Sequence, residues 1–331
     1  MSLSWSIITH NTTEAWNLAA QNSSYTTFFQ TKSWADLFTK TFPNWKTNPL
    51  VLEFSDGNLM VLPSIQHSLS GYQECMVPHV YGGPVFFRQP QEEHLEAVNT
   101  GLTWFADVTF VENPFEPFRR EQDYLARWRM ETTVTDLTPG YDSLWKRFRK
   151  NHRRNFKSAV KQDVAVDLAR SAEDINAYFE IYQDALKRWG DKAYGFYPRA
   201  LFRNMFEMPE FGKSIRMWLA RKDGIVIGGI IVVYHGVQAI CWHAVYHSEY
   251  FSAHAAPLLI ISAIENACKE GYRWFDLMGP NKHLKKVQHF KDGFATQRLP
   301  YNAYYSNNSI KGILFKRYRR FKEKSWKQCP M

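Results

Sequence analysis

An aspartate that closes an apolar strand stands where chemistry is done. In Trp274-Phe275-Asp276-Leu277 the carboxylate of Asp276 follows two aromatic residues. It falls near the strand's C-terminal end, where α/β sheets gather reacting groups. There it either orients an amine and takes its proton, or caps the loop leading to Gly279. Lys291 ends a helix expected over 285–291, which also holds Lys285 and Lys286. Arg153 and Arg154 are neighbours in a strongly basic segment. Guanidinium forks match phosphate oxygens, so this pair reads either as a contact to a diphosphate or nucleic acid, or as a solvated helix face. His243, His247 and His254 are close in sequence. His243 and His247 straddle a strand end, without the convergence a zinc site needs, so they read as structural. No GxSxG elbow and no Walker sequence occurs. Gly228-Gly229 falls inside a strand and not in a phosphate loop.

These residues need elements to hold them. From residue 164 the pattern reads strand 164–168, helix 172–189 capped by Ser171, and a short helix 199–208 after Pro198. Strands 215–221, 225–234 and 237–245 follow, joined at Lys222-Asp223-Gly224 and His235-Gly236, both hairpin signals. A helix over 256–269 stops at Gly271, and strands over 273–277 and 302–306 complete the run. The first half shows a looser version of the same order: helices over 14–21, 32–41 and 91–105, and strands near 48–54, 59–66, 79–87 and 107–112. Between the halves, Thr138-Pro139-Gly140 is a break. One basic helix is expected over 144–161, with Trp145, Phe148, His152, Phe156 and Val160 on a single stripe. The reading is therefore an α/β protein with mixed sheets, divided into 1–140, 141–306 and a basic tail, 307–331.

The chain has 331 residues and a formal net charge of +9, a balance suited to an anionic partner. Its four cysteines are scattered, without CxxC; a disulfide framework and a cysteine-built zinc site are not expected, and reduced thiols in a cytoplasm are. The longest apolar runs, near 224–233 and 255–263, are about half the ~20 residues of a spanning helix. A cytoplasmic protein is expected, peripheral at most to the inner face of a membrane. The segment 311–327 interleaves lysines and arginines with Leu314, Phe315, Tyr318, Phe321 and Trp326. It reads as a terminal helix packed on its domain, or as one lying on an anionic membrane or gripping RNA.

Four blocks together resemble the FemAB-like acyltransferases, a branch of the GNAT fold. The basic stretch 144–159 resembles that family's "RR…KA" helix, and Gln30-Thr31-Lys32-Ser33-Trp34 is similar to its early "Q-S-x-x-W". Ala256-Pro257-Leu258-Leu259 through Gly271-Tyr272-Arg273-Trp274-Phe275-Asp276 resembles its "aP-lL … fD", and His289-Phe290-Lys291-Asp292-Gly293-Phe294 its closing "FKxxF". The resemblance implies two tandem GNAT-like domains and an N-acyltransferase. Such an enzyme moves an acyl or aminoacyl group onto an amine of a cell-envelope, peptidoglycan or polysaccharide precursor. It also implies that Lys291 steadies negative charge at the reacting centre, since amine attack on an ester or thioester builds an oxyanion. Asp276 is the expected partner in catalysis. Arg153, Arg154, Phe290, Lys32, Trp34 and Tyr246 are the expected substrate-binding residues. No metal and no resident cofactor is expected; the donor is either aminoacyl-tRNA or an acyl-CoA or acyl carrier. The long helical-hairpin insertion of the Fem ligases is missing from the second domain. The junction 246–257 has no glycine, so a pyrophosphate cradle of the usual acetyl-CoA kind is not expected. The competing reading is a non-catalytic protein that keeps the fold and binds RNA or an anionic membrane.

Overall fold

The computed structural model describes residues 3–68, 73–75, 80–102, 108–118, 126–190, 196–279 and 284–305. The basic tail, including 311–327, lies outside the described residues. Two compact units appear: one comprises the residues up to Met130 together with the stretch from Pro300, the other Glu131–Leu299. The division thus falls at 130/131 and 299/300, where the sequence reading placed it at 140 and 306.

The first unit opens with β1 (Trp5–Ile7), α1 (Thr12–Asn22) and α2 (Lys32–Thr41). The strands β2 (Trp45–Thr47), β3 (Leu50–Phe54), β4 (Leu59–Leu62), β5 (Ile65–His67), β6 (Gln73–Cys75) and β7 (Val85–Phe86) follow, then α3 (Glu92–Leu102) and β8 (Val108–Val111). Strands β3 and β4 are the antiparallel pair that Asp56-Gly57-Asn58 announced, and they form one sheet with β1 and β7. Gly57 takes a φ of 77°, the left-handed turn conformation that glycine adopts without strain. Trp16, Phe29, Trp34, Phe38 and Phe86 fill the core of this unit.

The second unit starts within β9 (Ala126–Asp136), a strand that the sequence did not announce. Next come α4 (Tyr141–Arg147) and α5 (Lys150–Lys161). The single basic helix expected over 144–161 is therefore two helices. Phe148 and Arg149 break it with ψ of 141°, because the Arg149 N–H donates to the Gly293 carbonyl at 3.0 Å instead of continuing the helix. The stripe survives only in part: Phe148 and His152 are buried, while Val160 is 52% exposed.

The remaining order is β10 (Ala165–Leu168), α6 (Ala172–Trp189), α7 (Arg199–Phe206), β11 (Ile215–Lys222), β12 (Ile225–His235), β13 (Gln238–Tyr246), α8 (Ala255–Lys269), β14 (Trp274–Asp276), α9 (Lys285–Lys291) and β15 (Gln297–Tyr305). Helix α6 starts where predicted because Ser171 and Asp174 form a reciprocal cap. Strands β10 to β13 are antiparallel, β14 joins β13 in parallel, and β9 pairs with the far edge of β14. Helix α8 lies on one face, where Leu258, Leu259, Ile261 and Ile264 are buried among strand residues. No helix among the described residues is long and apolar enough to cross a membrane.

Candidate active site

Strands β13 and β14 pair over three residues only, ending at Ile240 opposite Asp276. Beyond that point β13 runs on through Cys241, still paired with β12, while the chain leaves β14 into a loop. Asp276 therefore stands where two parallel strands stop pairing. It is fully buried, and its Oδ1 accepts the Thr132 hydroxyl at 2.5 Å and the Met278 N–H at 2.6 Å. The second of these bonds closes a tight turn. Met278 adopts φ 57°, a left-handed conformation that costs a β-carbon-bearing residue about 1–2 kcal/mol. The turn aims two successive carbonyls at one cation: Lys291 Nζ donates to Leu277 O at 2.6 Å and to Met278 O at 3.0 Å.

An ammonium has three protons, and the third has no partner among the described residues. Burial pulls the Lys291 pKa below its ordinary value, opposed by Cys241 and by the carboxylate of Asp276. Cys241 lies in the same electrostatic neighbourhood; burial pushes its thiol up to about 12. A thiol so protonated is an inert wall and not a nucleophile.

Lys291 is held in place by the basic helix. The carbonyl of Phe290 meets the His152 ring Nε2 at 2.9 Å. The ring stacks on Phe294 at 4.2 Å and meets Phe290 edge-on at 4.8 Å. Arg149 Nη1 donates to His289 O at 2.7 Å. Gly293 admits this contact, since a β-carbon there would sit 2.1 Å from His152 Nε2. Burial lowers the His152 pKa, so the ring is held uncharged. The "RR…KA" and "FKxxF" blocks, 130 residues apart in the chain, are thus two halves of one clamp. Strand β9 supplies the third support. Thr133 Oγ1 accepts from Gln288 Nε2 at 2.9 Å, and the Thr135 hydroxyl donates to Phe294 O at 2.9 Å.

The expected site residues separate accordingly. Asp276 and Lys291 come together. Phe290 is beside Lys291 but spends its ring on His152 and Phe294. Tyr246 is near Cys241, and burial raises its hydroxyl pKa far above the usual range. On α5, Arg154 is exposed and Arg153 half-buried, the latter with its Nε enclosed and without a partner among the described residues. Lys32 and Trp34 belong to the other unit and have other tasks: Lys32 pairs with Asp36 at 2.6 Å, and Trp34 is fully buried against Phe28, Phe29 and Phe38. Sequence reasoning missed Thr132 and Cys241. The one available signal for Thr132 was the β-branched run Thr132-Thr133-Val134-Thr135.

The junction after β13 folds as a 3₁₀ turn over Ser248–Ala253, with His254 left-handed at φ 56°. Its backbone donors are engaged: Ser248 N–H by Asp184, Tyr250 N–H by His247 O, and His254 N–H by Phe251 O. Pro257, in the first turn of α8, has no N–H to offer. No group of His, Cys, Asp and Glu among the described residues is arranged to hold a metal ion.

Residues 146–286 match the model of the acetyltransferase (GNAT) domain family. Among solved structures, FemX is similar over 96% of this chain and 99% of its own, with 12% identity and a TM-score of 0.65. The C-terminal domain of a putative lysylphosphatidylglycerol synthetase from Agrobacterium fabrum is 13% identical, covering 92% of this chain and 94% of that one, with a TM-score of 0.56. A tandem GNAT protein from the clavulanic acid biosynthesis pathway is 14% identical, covering 93% and 99%, with a TM-score of 0.53. No curated protein matches the chain in sequence.

Proposed function

We propose that the protein is an N-acyltransferase forming an amide on an amine of a cell-envelope or polysaccharide precursor, a reading supported by the GNAT-domain match over residues 146–286 and by the fold shared with FemX and a tandem GNAT protein. The observation that carries this reading is the half-coordinated ammonium of Lys291 beneath the end of β14. The amine nitrogen attacks the carbonyl carbon of an acyl ester or thioester, and the carbonyl electron pair moves onto oxygen. The third N–H of Lys291 stabilises that oxyanion. A fixed donor of this kind contributes about 10²–10³ in rate. The intermediate then collapses, the bond to the donor's oxygen or sulfur breaks, and the amine's proton leaves with the departing group. Asp276 acts as a positioning residue: its two hydrogen bonds set the turn whose carbonyls grip Lys291. Removing it loosens the lysine without removing a base.

The donor is an aminoacyl-tRNA, an acyl-CoA or an acyl carrier. The closed 3₁₀ turn favours a donor that does not rest its pyrophosphate on the start of α8. The test is incubation with acetyl-CoA, palmitoyl-CoA or alanyl-tRNA and an amine mixture of glucosamine, lysine and a lysine-containing pentapeptide. Amide is read by mass spectrometry for the wild type and for Lys291→Ala. Amide from one donor, reduced about 10²-fold by the substitution, is expected. No amide with any donor, or turnover indifferent to residue 291, overturns the proposal.

A further inference from the structure

One feature on the opposite face of β13 has no part in the lysine clamp. Ile231 of β12 pairs with His243 and the next residue, Val232, with Cys241. Trp242 is therefore an extra residue, a β-bulge. In a regular strand, residues 241 and 243 share a face. Here Cys241 packs with Ala239, Ala244 and Tyr246 on the α8 side, and the bulge turns His243 toward α6 and α7. His243 meets Tyr182 of α6 at 4.8 Å, Phe202 of α7 at 5.6 Å, Tyr197 at 5.8 Å and its neighbour Trp242 at 5.5 Å, between ring centroids.

Tyr178 of α6 reaches His243 through a notch. A β-carbon on Gly229 would lie 2.7 Å from the Tyr178 ring and 2.9 Å from the Trp218 carbonyl, so only glycine leaves room for the ring. The tyrosine hydroxyl then stands 2.6 Å from His243 Nδ1. Tyr178 is completely buried, and its hydroxyl has no other partner among the described residues. A buried O–H left undonated is costly, so its proton goes to Nδ1. An uncharged imidazole carries one N–H; with Nδ1 accepting, that N–H is Nε2. Nε2 has no partner among the described residues. Burial keeps the ring uncharged, taking its pKa down to about 3. A bulge at Trp242 and a glycine at 229 each weaken a sheet, and both serve to bring one imidazole against one tyrosine hydroxyl. Local departures that converge in this way are expected at sites.

Resting on the acyl-transfer reading, we infer that His243 presents Nε2–H as a fixed, uncharged hydrogen-bond donor to a hydroxyl or amide oxygen of the acceptor molecule. The rings of Tyr197 and Trp242, 5.1 Å apart, supply the apolar face beside that donor. An acceptor amine carrying a neighbouring hydroxyl on a ring, as an amino sugar does, presents both features. His243 is not a base here, because its free nitrogen already holds a proton.

The test begins with the full chain labelled with ¹⁵N-histidine. The expected imidazole spectrum shows His243 as the Nε2–H tautomer between pH 5 and 8, and Tyr178→Phe releases it to a mixture; an Nδ1–H tautomer or an imidazolium in the wild type overturns the inference. Glucosamine added to millimolar concentration is expected to move the Nε2 resonance, while cyclohexylamine, an amine without the hydroxyl, does not. Indifference to both overturns it. These measurements need no turnover, so they stand or fall apart from the failure of amide formation itself. In turnover with glucosamine, His243→Leu raises KM about tenfold, the worth of one hydrogen bond, with kcat little changed. His243→Gln, which can place an N–H near the same point, restores KM to within about threefold. Equal KM for Leu and Gln variants overturns the donor role, and loss of fold in His243→Leu leaves the glutamine variant and the spectrum to decide.

Discussion

Two lysines sit in two of the four blocks that resemble family motifs, and their surroundings are opposites. In Gln30-Thr31-Lys32-Ser33-Trp34 the threonine and the lysine find their partners within one turn. Thr31 caps α2 by accepting the Trp34 N–H at 3.3 Å. Gln30 gathers Thr27, Gly83 and Asn113, and Lys32 reaches a carboxylate one turn on. In His289-Phe290-Lys291-Asp292-Gly293-Phe294 the partners are distant in sequence: β9, α5 and the loop after β14. Lys32 is paired with a carboxylate; the direct hydrogen-bond partners of Lys291 are two uncharged carbonyls. Motif likeness alone ranks these lysines equally. What separates them is whether the partner cancels the charge or only aims it.

The comparison breaks most visibly at Trp34. Trp34→Ala empties a fully buried site among three phenylalanines, and about 3–5 kcal/mol of stability is expected to go. Urea unfolding checks it. The activity of the fraction that stays folded should be unchanged, and a specific loss of kcat would return this block to the active site.

Lys291→Ala should cost about 10²-fold in kcat/KM or more, while Lys32→Ala stays within a factor of two, as a partly exposed i,i+4 ion pair allows. The alkaline limb of the pH profile sharpens the contrast. Burial lowers the Lys291 pKa, so transition-state stabilisation should fade at a pH below that of an ordinary lysine. Asp276 opposes the shift, hence Asp276→Asn should move the limb lower still. Stability runs the other way. The unfolded lysine binds its proton up to its ordinary value while the folded one releases it earlier, so over that window the unfolded state holds more protons and stability rises with pH. Lys291→Met should remove both effects.

The helices were legible where their signals are local. Helix α2 and α9 begin and end where the pattern placed them, and α6 announced its cap in Ser171. The site was legible as two residues and not as a mechanism. Strand β9 was missed because its first half, Ala126-Arg127-Trp128-Arg129, carries charges and an exposed tryptophan, and its buried half holds a single valine among three threonines, polar by type yet fully enclosed. The break between α4 and α5 was missed for a related reason. Nothing near Phe148 forbids a helix; the cause is a carbonyl at residue 293. Long-range hydrogen bonds fix this site, and no periodicity records them.

That reasoning makes Gly293 a sharper probe than any charged residue of α5. Gly293→Ala puts a carbon on the His152 ring nitrogen, so the ring or the loop must shift. About 1–3 kcal/mol of stability should be lost, with a fall in kcat from the displaced lysine. Arg154→Ala, on the exposed face of the same helix, should change stability by less than about 0.5 kcal/mol. Calorimetry and turnover on the pair decide whether α5 serves Lys291 mainly through its inner face.

One further substitution isolates positioning from charge. Thr132→Val keeps the volume and the β-branch that a buried strand favours, and deletes one donor to Asp276 Oδ1. About 1 kcal/mol should be lost, since the Met278 N–H remains on that oxygen. If Asp276 works by setting the turn, the effect on kcat should be several-fold at most, and it should vanish against an Asp276→Ala background, which leaves no side-chain oxygen to accept the Thr132 hydroxyl. If Asp276 instead takes the amine's proton, removing a donor makes the carboxylate a stronger base; kcat should rise and the acid limb of the profile should move up. A double-substitution cycle read by both kcat and the acid limb separates the two, because positioning predicts a fall with an unmoved limb.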